Sequence, residues 1–148
     1  MARAPNLSQA RVLYVLSDMR TRALTHVAMS LPLGTLTAEY RARLVTFYSS
    51  AFGWQEMQDL SRPDRLTIAI GRGAYINIRE HDRPMLEGAY EHFGVLVRSA
   101  DEVHKLNAEV KALGGSPGPV EEPVDGHPVF RFQHLLPMAI EVQFVPRR

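Results

Sequence analysis

The amino-acid sequence predicts an α+β protein built from two tandem βαβββ modules, whose strands form a cupped mixed sheet with the helices outside. Two observations predict this fold. The element order strand, helix, strand, strand, strand occurs twice along the chain. Polar residues also interrupt the apolar strands at matching points of the two copies. His26 and His92 stand in the opening strands, and Asn77 and Glu141 interrupt the closing strands at nearly the same separation.

The first module is predicted over residues 24–82. Residues 25–31 are apolar, include β-branched side chains and precede a proline, which favours a strand. A helix follows, with Thr37 able to cap its start and Gly53 able to close its end. Its apolar residues recur at helical spacing: Tyr40, Leu44, Phe47, Tyr48 and Ala51. Three short strands, separated by polar turns, are predicted at 54–60, 66–70 and 74–80.

The second module is predicted over residues 89–146, after a polar link at 81–89. A strand at 90–97 leads to Ser99 and Glu102, which have the spacing of a capping box. The helix behind this box carries an apolar stripe and ends at two glycines. Further strands are predicted at 120–124, 129–133 and 138–145, the first two joined by the turn-forming pair Asp125 and Gly126.

Residues 1–23 are predicted to be an extension outside the repeat. Within it, four apolar residues have helical spacing: Val12, Val15, Leu16 and Met19. An exposed apolar stripe usually marks an interface, so we expect the protein to be a homodimer to which this segment contributes contacts.

Composition limits the classes of function. The chain has 148 residues, a formal net charge of +1 and no cysteine. The balanced charge argues against nucleic acid and anionic membranes as partners, and the lack of cysteine excludes disulfides and thiolate metal sites. No apolar run is long enough to span a membrane. We therefore expect a cytoplasmic protein whose partner is a small molecule.

The repeat suggests that side chains able to bind a metal lie close together. Because side chains alternate between the two faces of a strand, a polar residue between apolar neighbours points away from them. His26, His92 and Glu141, with Asn77, are therefore predicted to point into one concavity. Two imidazoles and a carboxylate are a set typical of Fe(II) and similar divalent ions. The alternative is that each polar residue only satisfies local packing. Arg131, in the strand before the last, faces either this cavity or solvent.

The sequence resembles the vicinal oxygen chelate superfamily, which includes glyoxalases, bleomycin-resistance proteins, epimerases and extradiol dioxygenases. The resemblance covers roughly residues 24–146. It rests on His26, on Phe47 and Tyr48 with Ala51, Phe52, Gly53 and Trp54, on His92, and on Ile140, Glu141 and Val142. It implies the glyoxalase-like fold, a homodimer, and a divalent metal (Fe, Mn, Ni or Zn) held by His26, His92 and Glu141.

The resemblance also implies roles for neighbouring residues. Asn77 falls where glyoxalases and epimerases usually place Glu or Gln, and it cannot act as a base. Arg131 stands near the place of a tyrosine that extradiol dioxygenases use. We expect Asn77, Arg131 and Trp54 to contact substrate, and Glu141 to be both ligand and catalytic residue.

Two functions from different classes follow. The first is a metal-dependent lyase, isomerase or dioxygenase acting on a small substrate that is chelated through neighbouring oxygens. The second is a metal-free protein that binds or sequesters a drug-like molecule, as bleomycin-resistance proteins do, with Trp54, Phe130 and Phe132 lining its cleft. A small sensing or structural domain, in which the histidines and glutamate satisfy each other, is a third reading.

Overall fold

A computed structural model of the protein describes residues 24–71, 73–85 and 91–146. The predicted amphipathic segment from Val12 to Met19 lies outside these residues. The described part contains two four-stranded mixed sheets, each accompanied by one helix. The prediction of two tandem βαβββ modules is confirmed. Each sheet is formed by one module alone, so the described strands of a single chain make two sheets of four rather than one of eight.

The first module contains β1 (His26–Pro32), α1 (Ala38–Phe52), β2 (Gln55–Glu56), β3 (Arg65–Gly71) and β4 (Ala74–His81). The order of its strands across the sheet is β1-β4-β3-β2. The pairing of β1 with β4 is parallel and the other two pairings are antiparallel.

The second module repeats this plan with β5 (His92–Leu96), α2 (Ala100–Ala112), β6 (Glu121–Val124), β7 (His127–Phe132) and β8 (Ala139–Gln143). Its strand order is β5-β8-β7-β6, with β5 and β8 parallel. Val124 pairs with His127 across the predicted Asp125–Gly126 turn, which is therefore a two-residue hairpin loop.

Both helices begin and end where their capping residues predict. The Thr37 hydroxyl accepts a hydrogen bond from the Tyr40 N–H, and Gly53 ends α1 in the left-handed conformation at φ 69°. The Ser99 hydroxyl accepts from the Glu102 N–H at 3.2 Å. The Glu102 carboxylate reaches back to the N–H of Arg98, one residue before the cap.

The predicted strand at 54–60 is wrong for most of its length. Strand β2 consists of Gln55 and Glu56 only. The chain then turns, because the carbonyl of Met57 accepts hydrogen bonds from the N–H groups of Leu60 and Ser61. These local bonds close a turn in place of the ladder that an extended strand would need.

One hydrophobic core joins the two modules. Aromatic residues at the end of α1 and just after it pack on aromatic residues of the second module: Phe52 lies 5.7 Å from Phe132, and Trp54 lies 6.4 Å from Phe93, between ring centroids. The Tyr48 hydroxyl donates to the carbonyl of His134 at 2.6 Å. No helix among the described residues is long and apolar enough to cross a membrane.

Each sheet therefore has one face in this shared core and one polar face directed away from it. Phe93 and Phe132 lie on the core face of the second sheet, so their neighbours His92 and Arg131 lie on its other face. In the first sheet Val27 and Ile76 pack in or against the core, which places His26 and Asn77 on the opposite face. Within one chain the polar faces of the two modules therefore belong to two separate sheets.

Candidate metal centre

His92 and Glu141 are brought together by the parallel pairing of β5 with β8. His92 lies opposite Ala139, and Gly94 lies opposite Glu141. Residues opposite one another share a face of the sheet, so His92 and Glu141 point to the same side. The Nε2 atom of His92 is 3.5 Å from Oε2 of Glu141. The two side chains are only 19% and 16% exposed, so both are largely shielded from water.

This separation suits a shared cation better than a hydrogen bond. A donor and acceptor 3.5 Å apart are beyond ordinary hydrogen-bond distance. Two ligand atoms on one divalent ion, each about 2.0–2.2 Å from it, lie roughly 2.8–3.6 Å apart at tetrahedral to octahedral angles. The imidazole and the carboxylate are also donors that Fe, Mn, Ni and Zn accept. This pair therefore fits a divalent metal.

Gly94 leaves the space beside this pair without a side chain. It stands two residues after His92 on the same face and directly opposite Glu141. A Cβ atom there would come within 3.4 Å of Nε2 of Gln143. No atom of the His92 imidazole or the Glu141 carboxylate lies within 4 Å of that position.

Arg131 is the direct partner of Glu141. It lies opposite Glu141 in the antiparallel pairing of β7 with β8, and its Nε donates to Oε2 of Glu141 at 2.6 Å. The arginine side chain is 47% exposed. Both residues line a cavity of about 600 Å³ that also contacts Glu121, His127 and Gln143. Arg131 thus faces the cavity, which the sequence alone left open.

The first sheet carries the equivalent arrangement. His26 lies opposite Tyr75, and Ala28 lies opposite Asn77, as His92 lies opposite Ala139 and Gly94 opposite Glu141. Thr67 takes the place of Arg131, and its hydroxyl donates to Oδ1 of Asn77 at 3.4 Å. The repeat predicted from the sequence is therefore exact in strand register at these positions.

The His26 ring is oriented by two neighbours. It stacks on the Tyr75 ring at 5.0 Å with 7° between the planes. Its Nδ1 is 3.0 Å from the Thr25 hydroxyl. When Nδ1 carries the proton it donates to that hydroxyl, and the lone pair of Nε2 is available to a metal.

A single chain does not bring the predicted ligand set together. His26 and Asn77 belong to the first sheet, whereas His92 and Glu141 belong to the second. In the part of the chain that the structure describes, no three or more His, Asp or Glu side chains are close enough to hold a metal ion.

Trp54 is placed away from the polar faces. It is 6% exposed and stacks on Tyr48, on the helix side of the sheets. Phe130 and Phe132 are likewise buried in the core. Large aromatic side chains gain most from burial, and here they join the two modules. Trp54 also borders a cavity of about 1000 Å³, and Phe130 borders the cavity that Arg131 and Glu141 line. The expected contact of Trp54 with substrate stays a prediction.

Sequence reasoning missed three residues of the site: Thr25, Tyr75 and Gly94. Tyr75 could have been found, because it stands two residues before Asn77 and so shares its face. Gly94 has the same relation to His92. The contact of Thr25 with the imidazole has no signal in the sequence.

No protein-family model matches the chain, and no curated protein matches it. Solved structures do. The fosfomycin resistance protein FosX from Listeria monocytogenes has a TM-score of 0.64 and 21% identity, over 84% of this chain and 94% of that one. A variant of that protein, complexed with Mn(II) and 1S,2S-dihydroxypropylphosphonic acid, has a TM-score of 0.62 and 21% identity over 81% and 87%. A Bacillus anthracis protein described as of the glyoxalase family has a TM-score of 0.62 and 16% identity over 84% and 96%.

FosX proteins and glyoxalase-family proteins belong to the vicinal oxygen chelate superfamily. At these identities the likeness establishes the fold. The chain has the fold of that superfamily, as the resemblance in its sequence implied.

Proposed function

We propose that the protein is a divalent-metal-dependent enzyme whose ligands are His26, His92 and Glu141, and whose substrate is a small molecule chelated through two neighbouring oxygens. The observation that carries this proposal is the 3.5 Å approach of His92 Nε2 to Glu141 Oε2, at the positions that the repeat equates with His26 and Asn77. The Mn(II) present in the complex of the FosX variant supports a divalent ion.

The site is completed between two copies of the chain in this proposal. Because the described residues of one chain do not place His26 in one cluster with His92 and Glu141, we propose that His26 joins them from a second copy. Strands β1 and β5 are edge strands of their sheets, so the first module of one copy can lie beside the second module of the other. A symmetric dimer makes this contact twice and forms two equal sites.

The residues of the chain have separable tasks at such a site. A bound divalent ion polarises the oxygens that a substrate presents to it. Glu141 holds the ion and can take a proton from a carbon next to those oxygens, the role of a general base. Asn77 brings only a neutral amide, so the site holds one ligating carboxylate and leaves room for two substrate oxygens. This arrangement suits a lyase, an isomerase or a dioxygenase.

One observation favours the metal-free alternative. Arg131 gives the Glu141 carboxylate a cationic partner at 2.6 Å, so the carboxylate is neutralised without a metal. A cavity of about 600 Å³ beside this pair could then hold a small molecule that is bound and not converted.

Elemental analysis of the purified protein, after loading with Mn, Fe, Ni or Zn and removal of excess ion, decides between the two. We expect one ion per chain and the mass of a dimer in light scattering. A dimer without bound metal would overturn the enzyme proposal and leave the binding protein.

A further inference from the structure

We infer that the apolar stripe of the N-terminal extension packs into a groove of its own chain. The groove is a cavity of about 1000 Å³ bordered by the end of α1, the end of β3, the end of β5, the segment after β8 and one side of α2. The inference does not involve the metal centre, so it goes beyond the proposed function. The stripe consists of Val12, Val15, Leu16 and Met19.

The groove has an apolar side that is incompletely covered. Trp54 borders it, and α2 borders the same groove with the charged residues Glu102, Lys105 and Glu109. Apolar side chains left open at one place usually mark a surface on which another segment or molecule packs. Five apolar residues of the lining pack against the core and are only partly buried: Ala51, Phe52, Ile70, Val97 and Phe144.

The apolar stripe has the pattern that such a groove binds. Its four residues stand at positions i, i+3, i+4 and i+7, which is the spacing of the anchors of an amphipathic helix in a hydrophobic groove. Arg11 and Asp18 stand beside the stripe, so the segment carries charges of both signs, as α2 does. A groove with an apolar side and a charged side therefore suits this segment better than a lipid chain, which would leave the charged side unmatched.

The described chain begins close to the groove. The carbonyl of Thr25 accepts a hydrogen bond from the N–H of Tyr75 at 3.0 Å. Gly71, which borders the groove, pairs with Ala74. Only strand β4 therefore separates Thr25 from Gly71, a distance of about 10 Å at the usual spacing of strands. The chain from Met19 to Thr25 extends up to about 20 Å, so the stripe can reach the groove.

This short connection favours the groove of the same chain over that of a second copy. A segment joined to its binding site by a few residues has an effective concentration of the order of millimolar. The groove of a second copy meets the stripe only at the concentration of the protein, which is far lower in dilute solution. The stripe therefore fills the groove of its own chain.

The test measures how accessible the groove is to a thiol reagent in the full-length protein. The chain has no cysteine, so Ala51→Cys places a single thiol in the groove. Its labelling rate is compared with and without Leu16→Asp, which puts a charge into the stripe. We expect labelling about tenfold faster with Leu16→Asp, because the charged stripe leaves the groove. Leu13→Asp is the matched control, since Leu13 stands beside the stripe, and it should leave the rate unchanged.

A second cysteine position and a second measurement keep the test decisive. Lys111→Cys lies on α2, is exposed and does not border the groove, so its labelling should be equal in all backgrounds. Trp54 is the only tryptophan of the chain. Without any added cysteine, acrylamide should quench its fluorescence more in Leu16→Asp than in the wild type or in Leu13→Asp.

Three outcomes would overturn the inference. Equal labelling of Ala51→Cys in all backgrounds, with equal quenching of Trp54, would show that the stripe does not cover the groove. Protection that rises with protein concentration would show that a second copy covers it. Protection that persists in Leu16→Asp, with a bound small molecule in native mass spectrometry, would identify the groove as a ligand site. Metal content enters neither measurement, so none of these outcomes tests the proposed function.

Discussion

Asn77 and Glu141 occupy the same position in the two modules. Asn77 lies opposite Ala28, two residues after His26, and Glu141 lies opposite Gly94, two residues after His92. The fold thus offers two equivalent places for a ligand, and the chain fills one with a carboxylate and the other with an amide. An amide oxygen is a weaker donor to a divalent ion than a carboxylate. The two positions should therefore differ in their contribution to metal binding.

The first prediction follows from this difference. His92→Ala and Glu141→Ala should each abolish stoichiometric metal binding. Asn77→Ala should lower the affinity by no more than about tenfold, because it removes a neutral group. Metal content and titration of the three variants measure these effects.

Gln143→Ala is the control for that experiment, because Gln143 lies on the same face of β8 two residues beyond Glu141. It should retain the metal. Equal losses at Asn77 and Glu141 would indicate a site with four protein ligands, and an unchanged content in Glu141→Ala would rule out the proposed ligand set.

The second prediction concerns the stability of the second module. Ser99→Ala removes the hydroxyl that accepts the Glu102 N–H at the start of α2, and should lower the free energy of unfolding by about 1 kcal/mol. Ser99→Asp keeps an acceptor at the cap and should stay near the wild type. Urea unfolding measures both. A loss of the same size in Ser99→Asp would show that the cap is not the cause.

The third prediction concerns pH. Burial lowers the pKa of His134 from its usual 6.5, and the positive charge of Arg43 acts in the same direction. The unfolded chain therefore binds this proton more readily than the folded chain, and stability should fall as the pH drops below about 6.5. His134→Gln should remove this part of the pH dependence.

Unfolding in urea at about pH 7.5 and about pH 5 measures this dependence in the wild type and the variant. The wild type should lose more stability between the two values than His134→Gln does. Equal losses would mean that His134 does not contribute.

The strand and helix pattern of the modules could be predicted because it depends on local signals. Thr37, Gly53 and Ser99 define helix ends through hydrogen bonds within a few residues. The equivalent positions of His26 and His92 could be predicted from two features of the sequence. These are the alternation of side chains between the two faces of a strand and the spacing of the two histidines, which depend only on position along the chain. The turn after Glu56 could not, because the apolar residues Met57 and Leu60 also suit a strand.

The packing of the two modules against each other could not be predicted in the same way. Alternation shows which residues share a face of one sheet, but it does not show how the two sheets are packed. That packing depends on contacts distant in sequence, such as Trp54 with Phe93 and Phe52 with Phe132. Trp54 lies at this junction and is 6% exposed; its expected contact with substrate stays a prediction.

In the proposed dimer, His26 of one copy completes the site formed by His92 and Glu141 of another. An experiment that mixes two variants, each unable to bind metal alone, tests this arrangement. His26→Ala and Glu141→Ala are purified separately, where neither should bind metal in stoichiometric amount. They are then mixed in equal amounts under conditions that exchange subunits.

About half of the dimers formed should be mixed, and each mixed dimer has one intact site and one that lacks both altered ligands. The mixture should therefore recover about one metal ion for every four chains. If the mixture binds no more metal than the separate variants, while light scattering and mass spectrometry show that subunits have exchanged, the shared site is contradicted.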